Sequence, residues 1–122
     1  MLLKFYHQSY QELLLKLVKL QNLVLTEDID MIAIKTTYEQ VQTIFQQQIL
    51  SVSLDELDCN AIPLLRSAQT EIYKNLRLLG TDLLFLTSSR QEKTTRERLE
   101  KVEGKVKELI GYSQGIIEQL KQ

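Results

Sequence analysis

Thr70–Arg90, TEIYKNLRLLGTDLLFLTSSR, is the stretch on which the fold turns. At about 100° per residue, Ile72, Leu76, Leu79, Leu83 and Leu86 fall on one stripe, and Leu65 and Ala68 extend it backwards. A second set, Tyr73, Arg77, Leu84 and Phe85, lies off that stripe with Arg66 and Lys74, on flanking or opposite faces. An amphipathic helix needs only the stripe. The additional apolar groups make this helix either unusually buried or built to meet a partner. Tyr, Arg and Phe are the types that anchor protein interfaces. Burial predicts that neighbours cover Leu84 and Phe85; binding predicts that nothing in the chain does.

Three more helices are legible around it. The first carries Leu3, Tyr6, Tyr10, Leu13, Leu17, Leu20 and Val24 at alternating spacings of three and four, the pattern of a left-handed bundle. A break at Leu25–Asp30 follows, where Thr26 or Asp28 is placed to cap the next helix. That second helix repeats the spacing with Met31, Ile34, Tyr38, Val41, Phe45, Gln48 and Val52. Ser53-Leu54-Asp55-Glu56 has the capping-box pattern, and Pro63 follows. Either a short helix at Leu54–Cys59 precedes a fresh start near Asn60, or one long helix kinks before Pro63; the first reading is preferred. Thr94-Thr95-Arg96-Glu97 is a second capping box after a short polar loop, Ser89–Lys93. The last helix then has Leu99, Val102, Val106, Leu109, Ser113, Ile116 and Leu120 as its seam. Four long helices with short connections predict an all-α fold, a single four-helix-bundle domain over residues 1–122. Its expected topology is antiparallel, up-down-up-down.

Composition agrees. One Pro and four Gly in 122 residues argue against a turn-rich β fold. Cys59 is the single cysteine and cannot form an internal disulfide. The start, MLLKFYHQSYQELLLKLVKL, is interrupted by Lys4, Glu12, Lys16 and Lys19. It lacks the roughly 18 uninterrupted apolar residues of a membrane span, and no small-residue cleavage site follows. A cytoplasmic protein without membrane insertion is expected. Net charge is −1 but uneven: −6 over Thr26–Asp58 and +3 over Arg90–Lys107. Such polarity can steer a charged partner, although capping and surface pairing are the simpler account. Glu97–Lys101 and Glu103–Lys107 have the spacing of helix-supporting pairs.

Reactive chemistry is sparse. His7 is the only histidine, so it has no second imidazole and Cys59 no convergent partner. Neither a Glu-x-x-His repeat nor zinc spacing nor a Gly-rich phosphate loop occurs. His7 is followed by Gln-Ser-Tyr rather than the Lys-Gly of histidine-phosphotransfer bundles, and a solvated side chain is the simpler reading. Asp55, Glu56, Asp58 and Cys59 suggest a metal only until their place at a helix start is considered. Tyr6, Tyr10, Tyr38 and Phe45 lie on seams and read as core. No enzyme, catalytic residue, cofactor or metal is expected. The basic run Arg90–Lys107 is interleaved with Glu92, Glu97, Glu100 and Glu103, unlike the one-sided basic face of a nucleic-acid binder.

Two surface features remain. Gly104, Gly111 and Gly115 project opposite the last helix's seam, a bare strip that permits close approach in a homodimer or simply a weak helix. Tyr73, Arg77, Leu84 and Phe85, with Arg96 and Arg98 as nearby charge, form the candidate protein-binding set. The leading expectation is a non-enzymatic adaptor. A structural homodimer and a small-ligand-binding bundle are the alternatives.

TEIYKNLRLLGTDLLFLTSSRQEKTTRERL, followed by Leu109–Tyr112, resembles the PatD family of cyanobacterial heterocyst-frequency control proteins. The likeness covers about a third of the chain. It implies a cytoplasmic regulator of heterocyst differentiation, linked to cell division by binding the tubulin-like division GTPase FtsZ. It carries over no functional residues; the contact set above rests on helix faces alone.

Overall fold

Leucine-rich seams with few breakers make four long helices. In the computed structural model, which describes residues 2–57 and 59–121, these are α1 (Leu2–Leu25), α2 (Met31–Ile44), α3 (Ile62–Thr87) and α4 (Glu92–Leu120). No strand occurs among the described residues, and no helix among them is long and apolar enough to cross a membrane. The four helices pack together. α1 lies against α2 and α4, α3 lies against α4, and the contact of α2 with α3 is much lighter.

The seams meet in one core. On α1, Tyr6, Tyr10, Leu13, Leu17, Leu20 and Val24 are buried, with Leu3 partly so. On α3, all seven stripe residues from Leu65 to Leu86 are buried, joined by Asn75. On α4, Val102 to Leu120 are buried as the spacing predicts, Ile110 and Ile117 are added, and Leu99 is half-buried. Burying a large aliphatic side chain contributes about 1.5–3 kcal/mol, so these rows dominate the energetics. Two buried serines are settled within their own helices. Ser9 donates to the Phe5 carbonyl (3.0 Å) and Ser113 to that of Leu109 (2.9 Å).

The second seam departs from its pattern. After Ile44 the chain continues as a π-helix, Phe45–Leu50. Its wider turn rotates the following residues relative to an α-helix. Phe45 is buried as the spacing predicts, with Ile44 beside it; beyond them Ile49 takes the core position in place of Gln48, which is half-buried like Val52.

Helix ends correct several expectations. Asp30, not Thr26 or Asp28, caps α2: its Oδ1 accepts from the Ala33 N–H at 3.1 Å, whereas Thr26 turns back to the Leu23 carbonyl. The Ser53 box opens only a 3-10 turn, Leu54–Glu56, and the Ser53 side chain caps nothing. α3 restarts at Ile62 with Pro63 in its first turn, where a missing N–H costs no helical bond. The chain thus breaks before Pro63 and does not kink. The Thr94 box lies inside α4, which starts at Glu92; Thr95 Oγ1 is spent on the Gln91 carbonyl (2.9 Å). Neither Glu97–Lys101 nor Glu103–Lys107 closes to 4 Å among the described residues. The pair formed there is Glu92–Arg96, at 3.5 Å.

Candidate functional site

The weak contact between α2 and α3 leaves a groove, and one close approach crosses it. Gly80 lets the Tyr38 ring lie on the α3 backbone, where its hydroxyl donates to the Leu76 carbonyl at 2.5 Å. A Cβ at position 80 would stand 2.6 Å from that oxygen. Burial pushes the Tyr38 phenol above its ordinary value, opposed in part by the Gly80 backbone and the Gln42 side chain. Around this tie lie two hollows that share Gln42 and Arg77. One, of about 140 Å³, runs past Phe45, Gln46, Tyr73 and Leu76. The other, of about 480 Å³, is bordered by Lys35, Glu39, Thr81 and Leu84.

Tyr73, Arg77 and Leu84 therefore share one strip of α3, beside the groove. The Arg77 guanidinium lies 5.9 Å from the Tyr73 ring centroid, within the range of a cation–π contact. Leu84 is 67% exposed and Tyr73 46%. The burial alternative for Leu84 fails.

Phe85 is also open, at 53%, but about 100° further round the helix. It belongs to a second patch, made with α4. Arg98 stacks over the Phe85 ring at 5.5 Å, donates to the Phe85 carbonyl, and donates to Ser89 Oγ at 2.8 Å. The first of these bonds meets the Phe85 carbonyl, one that the end of α3 leaves free and to which the Ser88 and Ser89 hydroxyls also donate, so Arg98 serves the α3–α4 corner. Arg96 is exposed and engaged with Glu92. The six candidate residues thus fall into three places: Tyr73, Arg77 and Leu84 on one strip, Phe85 and Arg98 at the α3–α4 corner, and Arg96 by itself on α4. Sequence reasoning placed Tyr38 in the core, where it is only half-buried, and missed that it faces them across the groove with Lys35 and Gln42. The one signal for that pairing was Gly80, a glycine in the interior of a leucine-rich helix.

Elsewhere the reactive groups stay apart. Asp55 pairs with Arg66 at 3.3 Å, Cys59 is a free, half-buried thiol, and Asp58 lies outside the described residues. No cluster able to hold a metal occurs among the described residues. His7 is half-buried rather than solvated, and its Nε2 has no hydrogen-bond partner among them. Tyr6 and Tyr10 are wholly buried, with rings 5.3 Å apart edge to face. Tyr6 accepts from Gln69 Nε2 at 2.5 Å, whereas the Tyr10 hydroxyl, beside the Tyr6 ring, has no hydrogen-bond partner within normal geometry among the described residues. Burial raises both phenols above their ordinary value, Tyr10 the more strongly. Gly104, Gly111 and Gly115 are exposed, and a Cβ at any of them would meet nothing within 4 Å.

No family model matches the chain, and neither does any curated protein or solved structure.

Proposed function

We propose that this chain is a non-enzymatic regulatory protein of the cytoplasm that binds another protein through the Tyr73–Arg77–Leu84 strip and the adjoining α2–α3 groove. The observation that carries the reading is Leu84. A large aliphatic group two-thirds exposed, in line with an exposed Arg–Tyr pair, forms the kind of surface that partners bury. The scattered reactive groups favour binding over catalysis. The helices run up-down-up-down in this reading, supported by the short α3–α4 connection and by Arg98 reaching Phe85 across it.

The resemblance to PatD supplies the partner: the tubulin-like division GTPase FtsZ, whose assembly the chain would modulate during heterocyst patterning. The basic start of α4 would speed encounter with an acidic partner. Biolayer interferometry with purified FtsZ tests both parts. Binding by the native chain, lost at least tenfold in Arg77→Glu and Leu84→Asp with helicity unchanged by circular dichroism, is the expected result. Full-strength binding by both folded variants refutes the surface. No binding by the native chain removes FtsZ.

A further inference from the structure

α1 carries a second regular pattern, on the face that its own bundle leaves bare. Its buried seam runs Tyr6, Tyr10, Leu13, Leu17, Leu20 and Val24. On the opposite side, Gln8, Gln11, Leu15, Val18, Asn22 and Leu25 recur at spacings of three, four, three, four and three. All six are exposed, Leu15 to 71%. α1 needs one seam to join its bundle. A second at the coiled-coil spacing, with three aliphatic members in its C-terminal half, is unused by the fold.

We infer that this outer face of α1 pairs with the same face of a second copy of the chain, antiparallel, about a twofold axis between Leu15 and Val18. A homotypic contact with twofold symmetry is self-complementary: if residue i meets j, then j meets i. The antiparallel register satisfies this at every layer. Leu15 faces Val18 of the other copy twice, at the centre. Gln11 then faces Asn22, amide against amide, on either side, and Gln8 faces Leu25 at the ends. Charge complementarity fixes the direction. Glu12 and Lys19 flank the seam on one edge, both exposed and neither in an ion pair within the chain among the described residues. Antiparallel packing brings Glu12 of each copy to Lys19 of the other. Parallel packing instead stacks Lys4 on Lys4 within the seam and leaves Glu12 without Lys19. The paired seam spans 17 residue steps, or about 26 Å. That is a short coiled-coil contact, with association in the micromolar range or weaker.

Light scattering and sedimentation equilibrium on the intact chain, from 1 to 500 µM, test the pairing. The mass is expected to climb from 14.2 kDa towards twice that value. Leu15→Asp should hold it at the monomer value with unchanged helicity, while Gly111→Leu, on the bare strip of α4, should leave the rise intact. Glu12→Lys and Lys19→Glu should each weaken self-association at least tenfold, and mixing the two variants should restore it. Orientation is read in a Cys59→Ser background. Gln11→Cys mixed with Asn22→Cys should cross-link on mild oxidation, and Asn22→Cys alone should not. A monomer throughout the range overturns the inference, as does a dimer indifferent to Leu15→Asp. Self-cross-linking of Asn22→Cys overturns the antiparallel arrangement.

Discussion

Replacing Gly80 by alanine tests the contact of Tyr38 on α2 with the backbone of α3. In an open helix the change stabilises by about 0.8–1.0 kcal/mol, because glycine loses more backbone freedom on folding. At position 80 the new Cβ would lie 2.6 Å from Tyr38 Oη and 3.3 Å from its Cζ, so the phenol must move. Moving it forfeits the bond to the Leu76 carbonyl, about 0.5–1.5 kcal/mol. Tyr38 is only half-buried and its hydroxyl is the free end of the side chain beside an open hollow, so overpacking adds only the low end of the range for tight cores, about 1 kcal/mol. Together these terms slightly outweigh the helix gain, and the variant should lose roughly 1 kcal/mol. The other three glycines provide the control. Nothing lies within 4 Å of a Cβ at Gly104, Gly111 or Gly115, so alanine at each should raise stability by up to about 1 kcal/mol. Urea unfolding followed by circular dichroism measures all four, with an unchanged slope marking a pure stability effect. In a Tyr38→Phe background the 2.6 Å contact no longer exists, and Gly80→Ala should become neutral or mildly stabilising. A Gly80→Ala protein that gains stability as Gly104→Ala does would refute the Tyr38 contact and the role of Gly80 in admitting it.

Further outcomes follow from the buried tyrosines and from the α3–α4 corner. Tyr10→Phe removes a buried hydroxyl that has no hydrogen-bond partner among the described residues, so urea unfolding should show a gain of about 1 kcal/mol; a loss of that size would reveal a partner. Tyr6, Tyr10 and Tyr38 all have raised values when folded. The unfolded chain therefore releases their protons first, from about pH 10. Their contribution is whole below that pH and falls as pH rises towards the folded values. Unfolding at pH 8 and 11 should show the decline, and Tyr6→Phe should shrink it; an undiminished decline counts against Tyr6. Arg98→Met keeps the stem but removes the donors to Phe85 and Ser89. It should cost about 0.5–1.5 kcal/mol and speed amide exchange in the last turn of α3; unaltered exchange would place the corner's strength elsewhere.

The four helices and most core positions were legible because the interior selects apolar residues at a fixed period, which sequence displays directly. The seam of α3 is buried at every position its spacing names. Legibility failed where geometry departs from the period or where local chemistry has rivals. The π-helical turn at Phe45–Leu50 shifted the last members of the second seam, and FQQQIL contains no Pro or Gly to announce it. Caps were misplaced because several side chains in each junction can accept a bond. Thr26, Asp28 and Asp30 all fit the rule, and only backbone geometry selects Asp30. At the candidate surface, angles around one helix separated Tyr73, Arg77 and Leu84 from the core. They could not reveal that Arg98 would be spent on the end of α3, since that depends on where α4 starts relative to Phe85.

α1 packs mainly on α2 and α4 and α3 mainly on α4, while Gln69 of α3 reaches the Tyr6 hydroxyl of α1. A dimer joined through the outer face of α1 would carry two Tyr73–Arg77–Leu84 strips, each on α3 and not on the helix that forms the junction. If the partner is the polymerising GTPase proposed above, it repeats its own surface at each subunit, and a ligand with two heads can engage two subunits at once. Linked binding of that kind exceeds single-site affinity by about 10²–10⁴ where the geometry allows both contacts. Leu15→Asp, which breaks the dimer but leaves the α3 strip untouched, distinguishes one-headed from two-headed action. The variant should bind an isolated partner subunit as well as the native chain does, and should be at least tenfold weaker on the assembled polymer. Equal effect on the polymer would mean that each chain acts singly and that pairing through α1 has no part in regulation.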